Sequence, residues 1–365
     1  MTQLTSQVRS LVFAFTVLLP LGLASCRRVS TPSPTAIPTP RPPPTFTPSP
    51  TPDPLVIDRA NLPSLVRLAT ATESWPNALA WSPDSSVLAI ADMDGIWFRD
   101  ARTLAQRQFI DMIDSLRGEV VGSTVWAIAY SPNADLVATD VSGSGFRILL
   151  WKPGQDTPLR RLQGHDDAIR DLVFTPDGSR LVSASADGSV RVWNLETGAT
   201  LCELKNHWDW VDSLDISADG SRLVSAGYDA VINIWDPDTC ELLVALQDQY
   251  IIDGVAISPD GRLIAAGERD EAIHLFDDKG NLLRLLVGHE EWDVNDVDFS
   301  HQGDLLVSAG SDGTVRFWDP ETGSILRVLP IGSEVTSARF SPDGHYVAVG
   351  SGMGEGVEVW GLPAP

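Results

Sequence analysis

Cysteine is scarce in this chain, three among 365 residues, too few for a disulfide scaffold or a four-cysteine metal site. Basic residues are scarce too. The 26 Lys and Arg against 49 Asp and Glu leave a net charge of -23, which repels polyanions and argues against nucleic acid as a partner. The first 54 residues hold Arg9, Arg27, Arg28 and Arg41 against Asp53 alone, so residues 55–365 carry -26 and the acidity belongs to the folded part. The apolar run near the start, LVFAFTVLLPLGLA at 11–24, is shorter than the ~20 residues of a spanning helix and is broken by proline. No G-x-S-x-G occurs, which removes one hydrolase signature.

What is present begins with an export pattern. Arg9, the apolar run, Ser25 and Cys26 follow one another as a charged region, a hydrophobic region and a small-residue cleavage zone. Leu23-Ala24-Ser25-Cys26 resembles the lipobox of bacterial lipoprotein precursors, which implies lipidation of the Cys26 thiol and makes that residue the mature N-terminus. Two or more acyl chains anchor stably where one does not. The alternative is an ordinary secretory signal with a cysteine beside its cleavage site. Residues 31–54 contain 11 prolines in 24 positions and cannot build a core. In polyproline geometry they reach on the order of 75 Å, a stalk. Its threonines offer sites for O-linked sugars, and an unmodified spacer is the simpler reading. The expected layout is a signal peptide over 1–25, acylated cysteine and stalk over 26–60, and a folded domain over 61–365.

That domain repeats itself. The clearest unit, GHDDAIRDLVFTPDGSRLVSASADGSVRVWN at 164–194, sets alternating apolar strands around two tight turns, the pattern of a β-meander. Its terminal aromatic recurs as Trp151, Trp193, Trp235, Phe276, Trp318 and Trp360, at spacings of 42, 42, 41, 42 and 42. An earlier degenerate copy over 77–100 puts Arg99 in that slot, so the copies number seven. Seven first turns, from Ser82-Pro83-Asp84 to Pro342-Asp343-Gly344, agree.

These units resemble WD repeats over nearly all of residues 63–361. The resemblance implies an all-β fold, a seven-bladed β-propeller of four-stranded antiparallel blades. It also implies a buried tetrad stapling a blade: His165, Ser183, Asp187 and Trp193 in repeat three; His207, Ser225, Asp229 and Trp235 in repeat four; His289, Ser308, Asp312 and Trp318 in repeat six. Each polar member needs a partner inside the sheet. This assigns those histidines to structure rather than to metal binding or general-base chemistry, and no metal or other cofactor is expected. Repeats one, two, five and seven lack the set, with Ala265 in place of the serine in repeat five, and are expected to be looser, or held by apolar packing alone. The seventh repeat lacks a fourth strand, while Ser64–Thr70 precedes the first with nothing to pair. An N-terminal strand completing the last blade hides both edges.

Several motifs lead nowhere. Gly350–Gly356 is glycine-rich like a phosphate loop but precedes a strand rather than a helix. Asp92-Met93-Asp94-Gly95 lacks the later ligands of a calcium loop. Cys202 and Cys240 fall on outer strands of successive blades at unmatched positions, beyond the ~7 Å Cα limit for bridging, which predicts two free thiols.

What remains is a surface. Loops joining one repeat to the next, the face the family uses most for partners, interleave Trp208, Trp210, Tyr250 and Trp292 with Asp166, Asp167, Asp209, Glu290 and Glu291. Such residues suit a protein or peptide partner, basic or polar in character. A plainer reading has Trp210 and Trp292 padding the blade tops. The sequence-level expectation is therefore a monomeric, non-enzymatic scaffold, exported and lipid-anchored on the extracytoplasmic face of a bacterial membrane. The alternatives are a propeller enzyme with a central-channel active site, which needs convergent polar groups that the motifs do not reveal, and a cell-wall or glycan-binding module.

Overall fold

The computed structural model describes residues 55–72, 75–112, 124–141, 145–290, 293–352 and 356–363. The lipobox cysteine Cys26, the signal region, the stalk, Glu291 and Trp292 lie outside the described residues. Apart from a 3-10 turn at Leu62–Ser64, the elements among them are strands, arranged as seven four-stranded antiparallel sheets. Blade one runs from Ala78–Trp81 out to Gln106–Asp111, and blade two from Ile128–Tyr130 to Arg160–Gln163. Blades three to six begin at Ile169–Phe174, Val211–Ile216, Ile252–Ile257 and Val294–Phe299. No helix of the described residues is long and apolar enough to cross a membrane.

The seventh blade closes the ring. Its inner three strands are Val335–Phe340, Tyr346–Ser351 and Gly356–Gly361, and its outer strand is Val66–Ala71, paired antiparallel from Val66 opposite Gly361 to Ala71 opposite Val357. The residues before that strand also pack: Ile57, Leu62 and Leu65 are buried among residues of blades six and seven. The Arg327 guanidinium donates to the carbonyls of Leu62 and Leu65, and Arg59 pairs with Asp319 at 2.9 Å.

Local chemistry explains the repeat. In blade three Thr175 donates to Asp177 at 2.6 Å and accepts the Arg180 N–H, and Gly178 takes the left-handed conformation that the turn requires (φ +69°). Ser85 and Ala134 hold the same position in blades one and two with φ of 55° and 59°. Between blades the alternating strands bury, among the described residues, seven apolar clusters, one per interface. The cluster of Ala71, Val357 and Val359 with Leu79, Leu88 and Ile90 joins blade seven to blade one. Burial of this kind stabilises by roughly 25 cal/mol per Å² of apolar surface, and no blade supplies it alone.

Carboxylates on the innermost strands stitch blade three to four, four to five and six to seven. Asp171 accepts the Leu214 N–H, Asp215 that of Ile257, Asp296 that of Ala338 and Asp298 that of Phe340, at 2.7 to 3.1 Å. Each bond spans about one repeat of sequence.

Two sequence expectations are corrected here. Cys202 and Cys240 are not free thiols: they form a disulfide, with Cα atoms 6.4 Å apart. Cys240 lies not on an outer strand but in the turn before one, at φ +62°. Equivalent turn residues lean on the outer strand of the preceding blade, where a Cβ on Gly198 would meet Arg160 and Leu162, and one on Gly323 would meet Arg284 and Leu286. Cys202 occupies the register position of Arg160 and Arg284. The second correction concerns the serine slot of repeat five. Ala266, opposite His274, fills it, as Ser225 stands opposite Asn233 in blade four; Ala265 faces the other interface.

Candidate functional site

The tetrads come first because they position the loops. His165 Nδ1 lies 2.8 Å from Asp187, its Nε2 lies 2.7 Å from Ser183 Oγ, and Trp193 donates to the same hydroxyl at 2.9 Å. His207, Asp229, Ser225 and Trp235 repeat this, as do His289, Asp312, Ser308 and Trp318, with distances of 2.7 to 3.0 Å over the two sets. Burial opposes ionisation of Asp187 and Asp312, yet hydrogen bonds from His165 and Ser189, or from His289 and Thr314, hold both carboxyls below the usual range. Each tetrad carboxylate also accepts the N–H of the residue after the histidine, namely Asp166, Trp208 or Glu290, at 3.0 to 3.2 Å. The buried staple thus fixes the first residue of each docking loop.

Blades one, two and seven, which lack a full tetrad, are not held by apolar packing alone. Trp151 donates to Thr139 at 2.9 Å in blade two, Trp97 to Asp92 at 2.6 Å in blade one, and Trp360 to Glu358 at 2.8 Å in blade seven.

On the loop face Trp208 is 72% exposed and Trp210 is 42% exposed, while Tyr250, Asp166, Asp167, Asp209 and Glu290 are also exposed. Trp210 is both padding and surface. One side packs on Tyr228 at 5.1 Å between ring centroids, and the Arg170 guanidinium lies 5.8 Å from the ring centroids of both Trp210 and Trp126. Arg170 pairs with Asp212 at 2.6 Å. Burial pushes the Asp212 carboxyl up against the pull of Arg170. Beyond Tyr228, Arg269 lies over its ring at 4.8 Å and pairs with Asp253 at 2.8 Å. The aromatics therefore continue into a pinned rim.

That rim surrounds the mouth of the central channel, a cavity of about 270 Å³ lined by one equivalent residue from every blade: Asn77, Trp126, Arg170, Asp212, Asp253, Asn295 and Thr336. Each stands five residues before the Ser or Thr that opens its blade's first turn. The motif reading passed over this ring, although a column read at that offset shows it. Toward the opposite end, Asp171, Asp215, Asp298 and Arg339 line a cavity of about 370 Å³. Burial raises Asp171 and Asp298 to about 7 and Asp215 to about 6, with Arg339 opposing. The convergent polar groups that the sequence motifs did not reveal are thus present in the channel. Three of the four carboxyls that converge on Arg339, Asp215, Asp296 and Asp298, lie two or four residues before the turn Ser that follows them, and Asp171 lies four before Thr175.

A ring of seven four-stranded blades, three of them stapled by a His-Ser-Asp-Trp tetrad, defines a β-propeller built of WD repeats. Residues 124–361 match the family model described as the IFT122 first beta-propeller, and the chain belongs to the WD-repeat β-propeller family. It is similar to periodic tryptophan protein 2 of Saccharomyces cerevisiae, 42% identical over 215 residues that cover 57% of this chain and 23% of that protein. It is 39% identical over 249 residues to the small ribosomal subunit protein RACK1y of Oryza sativa subsp. japonica, covering 65% of this chain and 70% of that one. Nuclear distribution protein PAC1 of Gibberella zeae is 30% identical over 308 residues, 73% of this chain and 64% of that protein. The chain spans about a quarter of the periodic tryptophan proteins it matches. These relatives are eukaryotic, and none of their names speaks to a lipid anchor.

Proposed function

We propose that this propeller is a non-enzymatic protein-binding scaffold that docks partners on the loop face around the channel mouth, and that Cys26 tethers it by acyl chains to the extracytoplasmic side of a bacterial membrane. The observation that carries the docking reading is the rim, where exposed Trp208 and Trp210 stand among carboxylates on loops pinned by buried staples. Rigid aromatics give contact area at low entropic cost, and the surplus of acid favours a basic or polar segment of protein. That a relative bears the name of a small ribosomal subunit protein supports service within an assembly. The Cys202–Cys240 bridge supports an oxidising compartment and so export.

Crosslinking in the native membrane, with recovered partners identified by mass spectrometry, tests both parts. Trp208→Ala with Trp210→Ala is expected to weaken capture at least about tenfold, the loss of two hot-spot aromatics, with cooperative unfolding retained. Cys26→Ser is expected to release the chain from the membrane fraction. Equal capture by the double variant ends the docking reading, and unchanged membrane retention ends the anchor reading.

A channel enzyme is the second reading, favoured by Asp171, Asp215, Asp298 and Arg339. The stitches count against it, since each of those carboxylates is already committed to a backbone N–H of the next blade. Turnover in a hydrolase and lactonase panel that disappears in Asp298→Asn would establish it. Strong hits on a glycan array, lost in Trp208→Ala, would instead make the rim a sugar platform.

A further inference from the structure

Blade five has rewritten its tetrad. Phe276 replaces the tryptophan and Ala266 the serine, and Asp248 stands 28 residues before Phe276, as His165 and His207 stand before Trp193 and Trp235. Glu268 takes the place of Ser185, Gly227 and Gly310 in the stapled blades, and His274 that of Arg191, Asn233 and Arg316. A Cβ on Gly310 would collide with the His289 imidazole. In blade five the shorter Asp248 stands in the histidine slot, and the position equivalent to Gly310 carries a full glutamate. Three carboxyls now surround one imidazole.

The geometry is close. His274 Nδ1 lies 3.1 Å from Asp248 Oδ2 and 3.1 Å from Glu268 Oε1, and its Nε2 lies 3.1 Å from Asp270 Oδ2. Ligand atoms of Asp248, Glu268 and His274 all fall within 4.8 Å of one another. Glu268 is 0% exposed, and neither of its oxygens receives a hydrogen bond. A buried carboxyl without a donor is costly, and the nearby donors are engaged elsewhere: Arg269 with Asp253 and Tyr228, the Gln247 amide with the carbonyls of Asp229, Ala230 and Asp248. Among the described residues, no arginine or lysine pairs with Asp248, Glu268 or Asp270.

One nitrogen cannot serve two carboxylates with a single proton, but one cation at their common focus can. We propose that blade five binds a divalent ion of the zinc type through His274 Nδ1, Asp248 and Glu268, with Asp270 orienting the imidazole from Nε2. Tetrahedral ligands at ~2.0 Å from zinc lie about 3.3 Å apart, close to the two 3.1 Å separations seen. A carboxylate on the far nitrogen of a ligating histidine is the usual outer-shell arrangement, and a mixed imidazole and carboxylate set selects zinc over calcium or magnesium. Bound there, the ion takes over the stapling done by hydrogen bonds in blades three, four and six. Asp248, partly exposed at the loop face, gives it entry.

Purified full chain stripped with EDTA, reloaded with zinc, gel-filtered and analysed by mass spectrometry tests this. About one equivalent of zinc is expected in the wild type and under about a tenth in Glu268→Gln and His274→Asn, with a cobalt-substituted visible spectrum lost in parallel. Asp270→Asn is expected to weaken binding roughly 10–100-fold. Cooperative melting reports folding of each variant, and Asp248→Asn replaces any that fails. Less than a tenth of an equivalent in wild type, equal loading in the ligand variants, or calcium retained in preference to zinc overturns the proposal.

Discussion

Ser225 shows how much one hydroxyl carries. It accepts the indole N–H of Trp235 and meets His207 Nε2, which the Asn233 amide also reaches at 2.9 Å. Ser183→Ala in blade three, where among the described residues no amide stands by and the hydroxyl serves both His165 Nε2 and the Trp193 N–H, orphans two buried groups at once, at an expected cost of about 1–3 kcal/mol. Thr139→Ala in blade two orphans the Trp151 N–H alone and should cost less. Urea denaturation of the two variants makes the comparison, and equal losses would contradict the staple. At this scale the sequence was partly legible. The tetrad residues stand at offsets that can be counted, and the structure brings them within hydrogen-bond distance. Counting eight residues from the turn Ser258 gives Ala266, as Ser183 stands eight after Thr175 and Ser225 eight after Ser217, whereas counting three from Arg262, as from Arg180 and Arg222, gives Ala265. Cys240 was misplaced because a strand was assumed where the chain still turns. Its neighbours Asp238-Thr239 match Glu196-Thr197, so the cysteine stands where Gly198 does, and a residue that accepts a left-handed backbone at a cost of roughly 1 kcal/mol was the available signal.

Among the elements, the strand Val66–Ala71 does the most for its length. It covers the edge left by Gly356–Gly361 and places Ala71 in the cluster between blades seven and one. Removing residues 55–71 exposes that edge and uncovers Val357 and Val359. The truncated chain is expected to melt several degrees lower, over a broader transition, and to self-associate in light scattering. An unchanged, cooperative monomer would show that closure does not depend on this strand. The pairing itself was readable from two incomplete ends of one repeat pattern. The contribution of Ile57 and Leu62 was not, because it arises from a cluster shared with residues such as Val335 and Phe340, far away in sequence.

For the whole molecule, protons link the channel to stability. Asp171, Asp215 and Asp298 have carboxyls raised to between about 6 and about 7 by burial, against ~3.9 unfolded. Between those values the folded state binds more protons than the unfolded one, so stability falls as pH rises. Asp187 and Asp312 shift the other way and lose their contribution as pH drops below the unfolded value. The urea midpoint of metal-free protein should therefore be highest near about pH 4, the unfolded carboxyl value, and decline toward pH 8. Asp298→Asn should flatten that decline, and an identical slope in wild type and variant would count against channel titration. Column-wise reading of the inner strands would have revealed these aspartates. Their upward shift could not have been read, since it depends on seven strands meeting about one axis.

Arg327 grips the carbonyls of Leu62 and Leu65, and Arg59 holds Asp319, just ahead of the closing strand. Mechanical load entering from the N-terminal side meets this clasp before it reaches the strand that keeps the circle shut. Residues 57–65 thus stand in series ahead of the Val66–Ala71 pairing, and a tug on the chain is spent first on them.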